Sequence, residues 1–319
     1  MMSQHVAEIR WPTFSIIIPT YDRPQHLSAC LESVAAQHYP PALIDVVVVD
    51  DGGPAPLEGV IAPFRSRLPV TLLRQARAGP GAARNAGAAQ AKGEFLAFTD
   101  DDCRPAPDWL QALARRLTTA SRAVVGGPMR NALPDNVYSA ASHVLAEAVD
   151  AYFNTEPSRA RHLFSGNLAL SRADFQAVGG FDATLMTSED RDFCDRCLEH
   201  GCRLIFAQEA VVSHIRPLTL HTFWRQHFEY GRGTFDYHRR RATRGSIPFR
   251  FDGLFYVHML RHPFVQRAGP RALTLSVLLS ITQAAKTIGL LWQWSRHVAG
   301  RRGMTSHEDA HVLGRIGHR

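Results

Sequence analysis

At 319 residues the chain is long enough for one large α/β domain with an appendage, or for two small domains. Hydrophobic residues at 45% and charged residues at 20% exclude a disordered or low-complexity protein. The formal net charge of +7, crowded into Arg and His of the C-terminal third, favours anionic partners such as nucleotide phosphates or acidic lipids. No nucleic-acid module accompanies that charge, so nucleic acid is not among the expected partners.

No apolar leader is read in Met1 to Pro12. Five cysteines, an odd number, suit reduced thiols in a cytoplasmic compartment. Phe14 to Ile18 reads as a buried strand, followed by a helix whose apolar face is Leu27, Cys30, Leu31 and Val34. Val46 to Val49 is a second strand, β-branched throughout, as a strand covered on both faces should be. Val70 to Leu73 is a third. An alanine-rich helix starts near Gly81, and Gly93 is placed to end it. Phe95 to Phe98 is the fourth strand, and Trp109, Leu110, Leu113 and Leu117 mark the next helix. Repeated strand–helix units imply a mostly parallel sheet flanked by helices. Farther on, Cys194, Cys197 and Cys202 with His200 lack the second CxxC of a structural zinc site, and read as packing thiols.

The strands end in polar or glycine-rich residues: Pro19-Thr20-Tyr21-Asp22-Arg23, Asp50-Asp51-Gly52-Gly53, Ala78-Gly79-Pro80-Gly81, and Asp100-Asp101-Asp102. In a parallel sheet these ends share one edge, where ligands of open α/β sheets bind. Three adjacent carboxylates repel one another. Either a divalent cation or a cationic ligand offsets them, or the turn is simply solvated. Hard oxygen donors suit Mg²⁺ or Mn²⁺.

The runs SIIIPTYDRPQHL, VVVVDDGG, AGPGAARNAG, GEFLAFTDDDCRP, VGGFD and SEDRDFCDR, in this order, resemble family 2 glycosyltransferases of the GT-A fold, over roughly residues 13 to 235. The resemblance implies an α/β GT-A domain over 13–240, with a nucleotide-binding half (13–105) and an acceptor half (106–240). Residues 241–319 would form a helical, membrane-associated extension. It further implies an inverting transfer of sugar from a nucleotide-diphosphate donor, UDP-sugar favoured, to a hydroxyl of a glycan or lipid-linked acceptor. The setting would be cell-surface polysaccharide synthesis at the cytoplasmic face of a membrane.

By the same resemblance, Pro19, Thr20 and Tyr21 line the base pocket, Asp50 hydrogen-bonds the base, and Arg84 lies near the base or phosphates. Asp100 and Asp102 are the outer acids of the DxD element. Asp102 would bind the metal, and Asp100 the ribose or a metal-bound water. Alternation along an extended segment would point both the same way. His214 falls where several relatives carry a further metal or phosphate ligand. Ser188-Glu189-Asp190 resembles the catalytic turn, with Asp190 as general base and Glu189 competing. Each position also has a plainer reading: a strand-ending turn at Pro19-Thr20, a cap at Asp50, a solvated helix residue at Arg84, a core or turn histidine at His214. Ser188 reads equally as a helix N-cap.

Two other enzyme classes compete, together with a non-catalytic sugar-nucleotide-binding relative. A nucleotidyltransferase would carry a glycine-rich phosphate loop after the first strand, where PTYDR stands, and a dehydrogenase would carry GxGxxG there. A non-catalytic relative would have lost the DxD element or the base. Phe223 to Gly233 mixes aromatics and arginines. It resembles the closing segment of membrane-associated family members, which covers the donor diphosphate or acceptor, and reads equally as an amphipathic helix with a basic face. Leu273 to Trp294 is apolar enough to cross a bilayer, yet Ser276, Ser280, Gln283 and Thr287 form a polar stripe and Lys286 lies inside. Basic residues flank both ends, including Arg267 and Arg301. A helix packed on the protein or lying on an anionic membrane surface is favoured over a span.

Overall fold

The structure, a computed structural model, describes residues 11–245, 252–266 and 269–316. Met1 to Arg10 and Arg267 lie outside the described residues, as do the side chains of Arg301 and Arg302. The chain divides into two compact units, Met1–Pro217 and Leu218–Arg319.

In the first unit, β1 (Phe14–Thr20), β2 (Ile44–Asp50), β3 (Val70–Arg74) and β4 (Phe95–Phe98) run parallel. Between them lie α1 (Pro24–Ala35), the short α2 (Glu58–Ile61) and α3 (Pro80–Gln90). Next come β5 (Cys103–Pro105), α4 (Trp109–Leu117), β6 (Ala123–Gly126), β7 (Met129–Asn131) and α5 (Val137–Phe153). Then follow β8 (Leu168–Ser171), α6 (Arg172–Val178), α7 (Glu189–Glu199), β9 (Arg203–Phe206) and β10 (Val212–His214). The main sheet has the order β3-β2-β1-β4-β8-β6-β9 and is parallel except at β8, which is antiparallel to both neighbours. A smaller sheet, β5-β10-β7, stands beside it.

Successive residues of a strand point to opposite faces, and β1 feeds two cores accordingly. Ile16 and Ile18 pack with Leu27, Leu31, Trp109 and Leu113, whereas Ile17 packs with Leu96, Phe98, Leu168 and Phe193. Full burial on both faces is what makes Val46 to Val49 β-branched throughout. Cys194, Cys197 and Cys202 sit in the second core, where burial pushes their thiols up. Gly93 does not terminate α3, which stops at Gln90. Its real constraint is contact: a Cβ there would lie 2.5 Å from the Ser15 backbone nitrogen.

The second unit comprises α8 (Leu220–Thr243), α9 (Gly253–Gln266) and α10 (Pro270–Ile316). Thr219 and Thr222 cap the start of α8 reciprocally, side chain to backbone in both directions. α8 and α10 meet through glycines. A Cβ on Gly231 would lie 2.0 Å from the Lys286 carbonyl oxygen, and one on Gly289 2.0 Å from that of Phe228. The buried face of α10 carries Ala272, Leu275, Leu279, Thr282 and Ala285. Part of the polar stripe turns toward α9, Ser276 donating to the Leu260 carbonyl (3.1 Å) and Gln283 lying 3.3 Å from the Met259 sulfur. Pro270–Ala299 is long and apolar enough to cross a bilayer by length and composition.

Candidate active site

The C-terminal ends of β1, β2 and β4 and the loop before α3 meet at one edge of the sheet. Asp51 organises that loop: its Oδ1 accepts from the Ala78 amide (2.8 Å) and Gln75 (2.7 Å), and its Oδ2 from the Gly79 amide (2.9 Å). Asp50 is nearly enclosed. Its Oδ1 accepts from the Gly53 amide at 2.8 Å within the loop, not at a helix start, since α2 begins only at Glu58, while Arg74 Nε stands 3.6 Å from its Oδ2. Tyr21 projects from the edge, more than a third exposed, with the Arg77 guanidinium 4.1 Å from its ring centre. Pro19 is half-buried. Thr20 is turned inward, donating to Asp101 Oδ2 at 2.7 Å.

The aspartate triplet is a turn closed by the Cys103 amide donating to the Asp100 carbonyl (3.0 Å). It is not extended, so the expected pairing of Asp100 with Asp102 on one side does not hold. Asp101 and Asp102 instead share Arg23, whose Nη1 lies 3.1 Å from Asp101 Oδ1 and 3.0 Å from Asp102 Oδ2. Asp100 turns to Arg84, 2.6 Å from Nη2. Burial pushes the Asp101 carboxyl up to about 6, more than Arg23 lowers it. Burial also works to raise Asp102, but the hydrogen bond and charge of His214, with Arg216 and Arg23, hold it well below the usual carboxylate range.

His214 reaches Asp102 through strand register. β10 runs antiparallel to β5 with His214 opposite Cys103, and the Ile215 amide donates to the Asp102 carbonyl at 2.8 Å. His214 Nε2 thereby sits 3.3 Å from Asp102 Oδ1. Among the described residues, Asp102, Cys103 and His214 form a group whose donor atoms could hold one cation. Burial pushes the Cys103 thiol well up, so it stays protonated and is a poor hard-ion ligand. The carboxylate oxygen and imidazole nitrogen that remain fit Mn²⁺ or Mg²⁺.

Arg84 is not a solvated helix residue. It is buried and bridges two acids, Asp100 on one side and Glu189 (Nη1 to Oε1, 2.8 Å) on the other. Burial works to lower its pKa, but the two carboxylates outweigh that and keep it cationic. Burial drives Glu189 up to about 7, more than Arg84 lowers it. Asp190 stands beside it at the start of α7, half-buried. Ser188 occupies the N-cap position in the left-handed region (φ 67°) with no side-chain capping bond, so the simple cap reading fails there.

Other contacts tie the second half of the unit to this edge. Asn85 exchanges two hydrogen bonds with the Phe181 backbone, each 2.8 Å. Gly166 approaches Asp100 so closely that a Cβ would lie 3.0 Å from Oδ2. Fully buried Asn167 fixes that turn, accepting from Trp109 Nε1 and donating to the Ala210 carbonyl, both at 2.8 Å. Sequence reasoning gave no role to Arg23 or Asp51. Arg23 was findable as a cation ending the first strand's loop, directly across the edge from three acids.

The chain matches the family described as glycosyl transferase family 2 over residues 15–179. The chain belongs to glycosyl transferase family 2. A second match, to the N-terminal domain of galactosyltransferase, covers residues 148–219. This family 2 glycosyltransferase is 28% identical over 229 residues to glycosyltransferase AglE of Haloferax volcanii, covering 70% of this chain and 73% of that protein. It is 30% identical over 174 residues to the pre-mycofactocin glycosyltransferase of Mycobacterium tuberculosis, covering 53% of this chain but 37% of that one. In fold it is similar to the mannosyltransferase PcManGT of Pyrobaculum calidifontis, solved with GDP-Man and Mn²⁺. There the TM-score is 0.60 at 19% identity, over 91% of this chain and 81% of that one. The glycosyltransferase therefore has the GT-A fold, with a helical C-terminal region.

Proposed function

We propose that this glycosyltransferase inverts the anomeric centre in a single displacement, moving a sugar from a nucleotide-diphosphate donor, UDP-sugar before others. The acceptor is a hydroxyl of a glycan or lipid-linked precursor in cell-surface polysaccharide synthesis. The transfer domain runs over residues 13–240 and works at the cytoplasmic face of a membrane. Pro19, Thr20, Tyr21 and Asp50 form the base side of the donor site, Tyr21 offering its ring for stacking and Asp50 its carboxylate to an imide N–H. Asp100 faces the ribose, held in place by Arg84. Asp102 and His214 hold Mg²⁺ or Mn²⁺, which when bound supplies Lewis-acid neutralisation of the diphosphate leaving group.

Asp190 takes the proton of the acceptor hydroxyl as its oxygen bonds the anomeric carbon and the carbon–oxygen bond to the diphosphate breaks. Glu189 suits that role less well, because it is buried and committed to Arg84. The observation that carries the reading is the assembly at one sheet edge: an oxygen–nitrogen donor pair, Asp102 and His214, beside the chain Asp100–Arg84–Glu189. The test is turnover of a panel of UDP-, GDP- and dTDP-sugars with Mg²⁺ or Mn²⁺, repeated in EDTA. Metal-dependent turnover of a UDP-sugar is expected. Turnover indifferent to EDTA, or absent with every donor, would overturn the proposal.

A further inference from the structure

The segment from His162 to Gly166 touches both sides of the proposed site. At one end Gly166 stands against Asp100, where a Cβ would lie 3.0 Å from Oδ2. The other end is pinned twice. Buried Asn154, just past α5, accepts the Arg161 and His162 amides on Oδ1 (3.0 and 3.3 Å) and donates through Nδ2 to the His162 carbonyl (2.8 Å). The Leu163 carbonyl accepts from Cys194 Sγ at 3.5 Å. Cys194 comes one turn after Asp190 on α7, and residues so spaced share a helix face. Asp190 therefore opens the side of α7 to which this segment is fastened.

The His162 side chain has hydrogen-bonding capacity left over. Its ring stands edge-on to Phe164, centres 4.6 Å apart, and its Nδ1 is enclosed with no hydrogen-bond partner among the described residues. An enclosed lone pair is tolerated better than an enclosed N–H, so the ring proton belongs on Nε2. Charging the ring would put a second N–H at Nδ1, where nothing accepts it. Burial accordingly holds His162 below the ordinary histidine range, while Asp190 works to raise it, Arg191 to lower it and Asp195 to raise it. Of the charges that act on the ring, that of Asp190 is the strongest. Asp190 itself accepts the Arg191 amide on Oδ1 at 2.8 Å, which leaves Oδ2 for an acceptor hydroxyl.

We infer that His162 is a positioning residue for the proposed base: its neutral imidazole turns the Nε2 N–H toward the Asp190 carboxylate and holds it for the acceptor hydroxyl. This rests on the reading of Asp190 as base. In the transfer the hydroxyl proton passes to Asp190 and stops there, because His162 has no second place for it. A neutral donor suits this position. A cation would ion-pair the carboxylate and weaken it as a base, and an apolar ring would leave it unsteered.

Two measurements on the full-length protein test this. The first is NMR of the ¹⁵N-labelled imidazoles at neutral pH, with His162 assigned by the loss of its signals in His162→Gln. His162 should be the neutral Nε2–H tautomer, and its Nε2 signals should move in Asp190→Asn and move less in Asp195→Asn. The opposite tautomer, a charged ring, or signals indifferent to Asp190→Asn would overturn the inference. The second is turnover of the sugar nucleotide selected by the donor panel, with water as acceptor and circular dichroism as the folding control. His162→Phe should lower kcat about tenfold with donor KM unchanged, the scale of a misplaced reacting group, and His162→Gln, which keeps an N–H, should restore most of it. His162→Lys should lower kcat as well and move the acid limb of the pH profile to lower pH, because a cation favours the ionised carboxylate. Wild-type kcat in His162→Phe, or no recovery in His162→Gln, would reduce His162 to a packing residue. Full turnover in Asp190→Asn would sink the base assignment itself, whereas loss there with none in His162→Phe would sink this inference alone. Should a His162 variant not fold, the NMR comparison of wild type with Asp190→Asn still decides, His162→Asn then supplying the assignment.

Discussion

Arg23 and Arg84 stand against Asp100, Asp101 and Asp102, so the repulsion expected of three adjacent acids is met by the protein's own cations. Asp102 is divided between Arg23 on one oxygen and His214 on the other, and its carboxyl is held well below the usual range. Asp102→Asn should therefore cost about a hundredfold or more in kcat, the scale of losing a metal-held leaving-group charge, with circular dichroism unchanged. Retained turnover would remove Asp102 from the donor site. Asp190→Asn should lower kcat about a hundredfold or more with little change in donor affinity. If Glu189→Gln did so in its place, the base would be Glu189.

Glu189 has a separate signature in stability. Its carboxyl ionises at about 7 in the folded chain against 4.5 unperturbed, because burial outweighs Arg84. Between those values the folded state keeps a proton that the unfolded state has released, so this group's contribution falls as pH rises through that window. Thermal melts of wild type and Glu189→Gln should show the wild type losing ground to the variant from pH 4.5 toward 7, then a constant gap. Parallel curves would mean that Glu189 ionises normally.

At the scale of elements, the first four strands were legible because each is a short β-branched or aromatic run bounded by turn residues. β1, β2 and β4 are buried on both faces as that composition demands, β3 only in part. The turn of the triplet was not legible. Period-two alternation applies only while the backbone stays extended, and the Cys103 amide closes it at Asp100. The left-handed Ser188 was equally hidden, since nothing in Ser-Glu-Asp distinguishes it from an ordinary cap. The crossing of α8 and α10 offers a test in which two effects oppose. Helix propensity alone would make Gly231→Ala stabilising by about 1 kcal/mol. The Lys286 carbonyl 2.0 Å from the new Cβ is backbone and cannot rotate away, so the two helices must separate, at about 1–3 kcal/mol or more. A lower melting temperature for Gly231→Ala is expected. An unchanged or higher one would show that the helices are not held this closely.

Over the whole molecule, the side chains proposed to hold donor and metal, from Pro19 to His214, lie in the compact unit that closes at Pro217. Their ion pairs are also internal to it, from Arg23 with Asp102 to Arg84 with Glu189. The exposed apolar residues of α10, among them Leu273, Ile288 and Trp292, belong to the other unit. The proposed donor site and the proposed surface attachment would thus be carried by different residues on different cores. A chain ended after Pro217 should fold, bind UDP with Mn²⁺ within about threefold of the full chain, and no longer sediment with anionic vesicles. Calorimetric titration measures the first and co-sedimentation the second. A tenfold or greater loss of UDP affinity in a folded truncation would show that the helical unit contributes to the nucleotide site. Retained vesicle binding would place the attachment surface in the first unit, against the exposed leucines and tryptophans of α10.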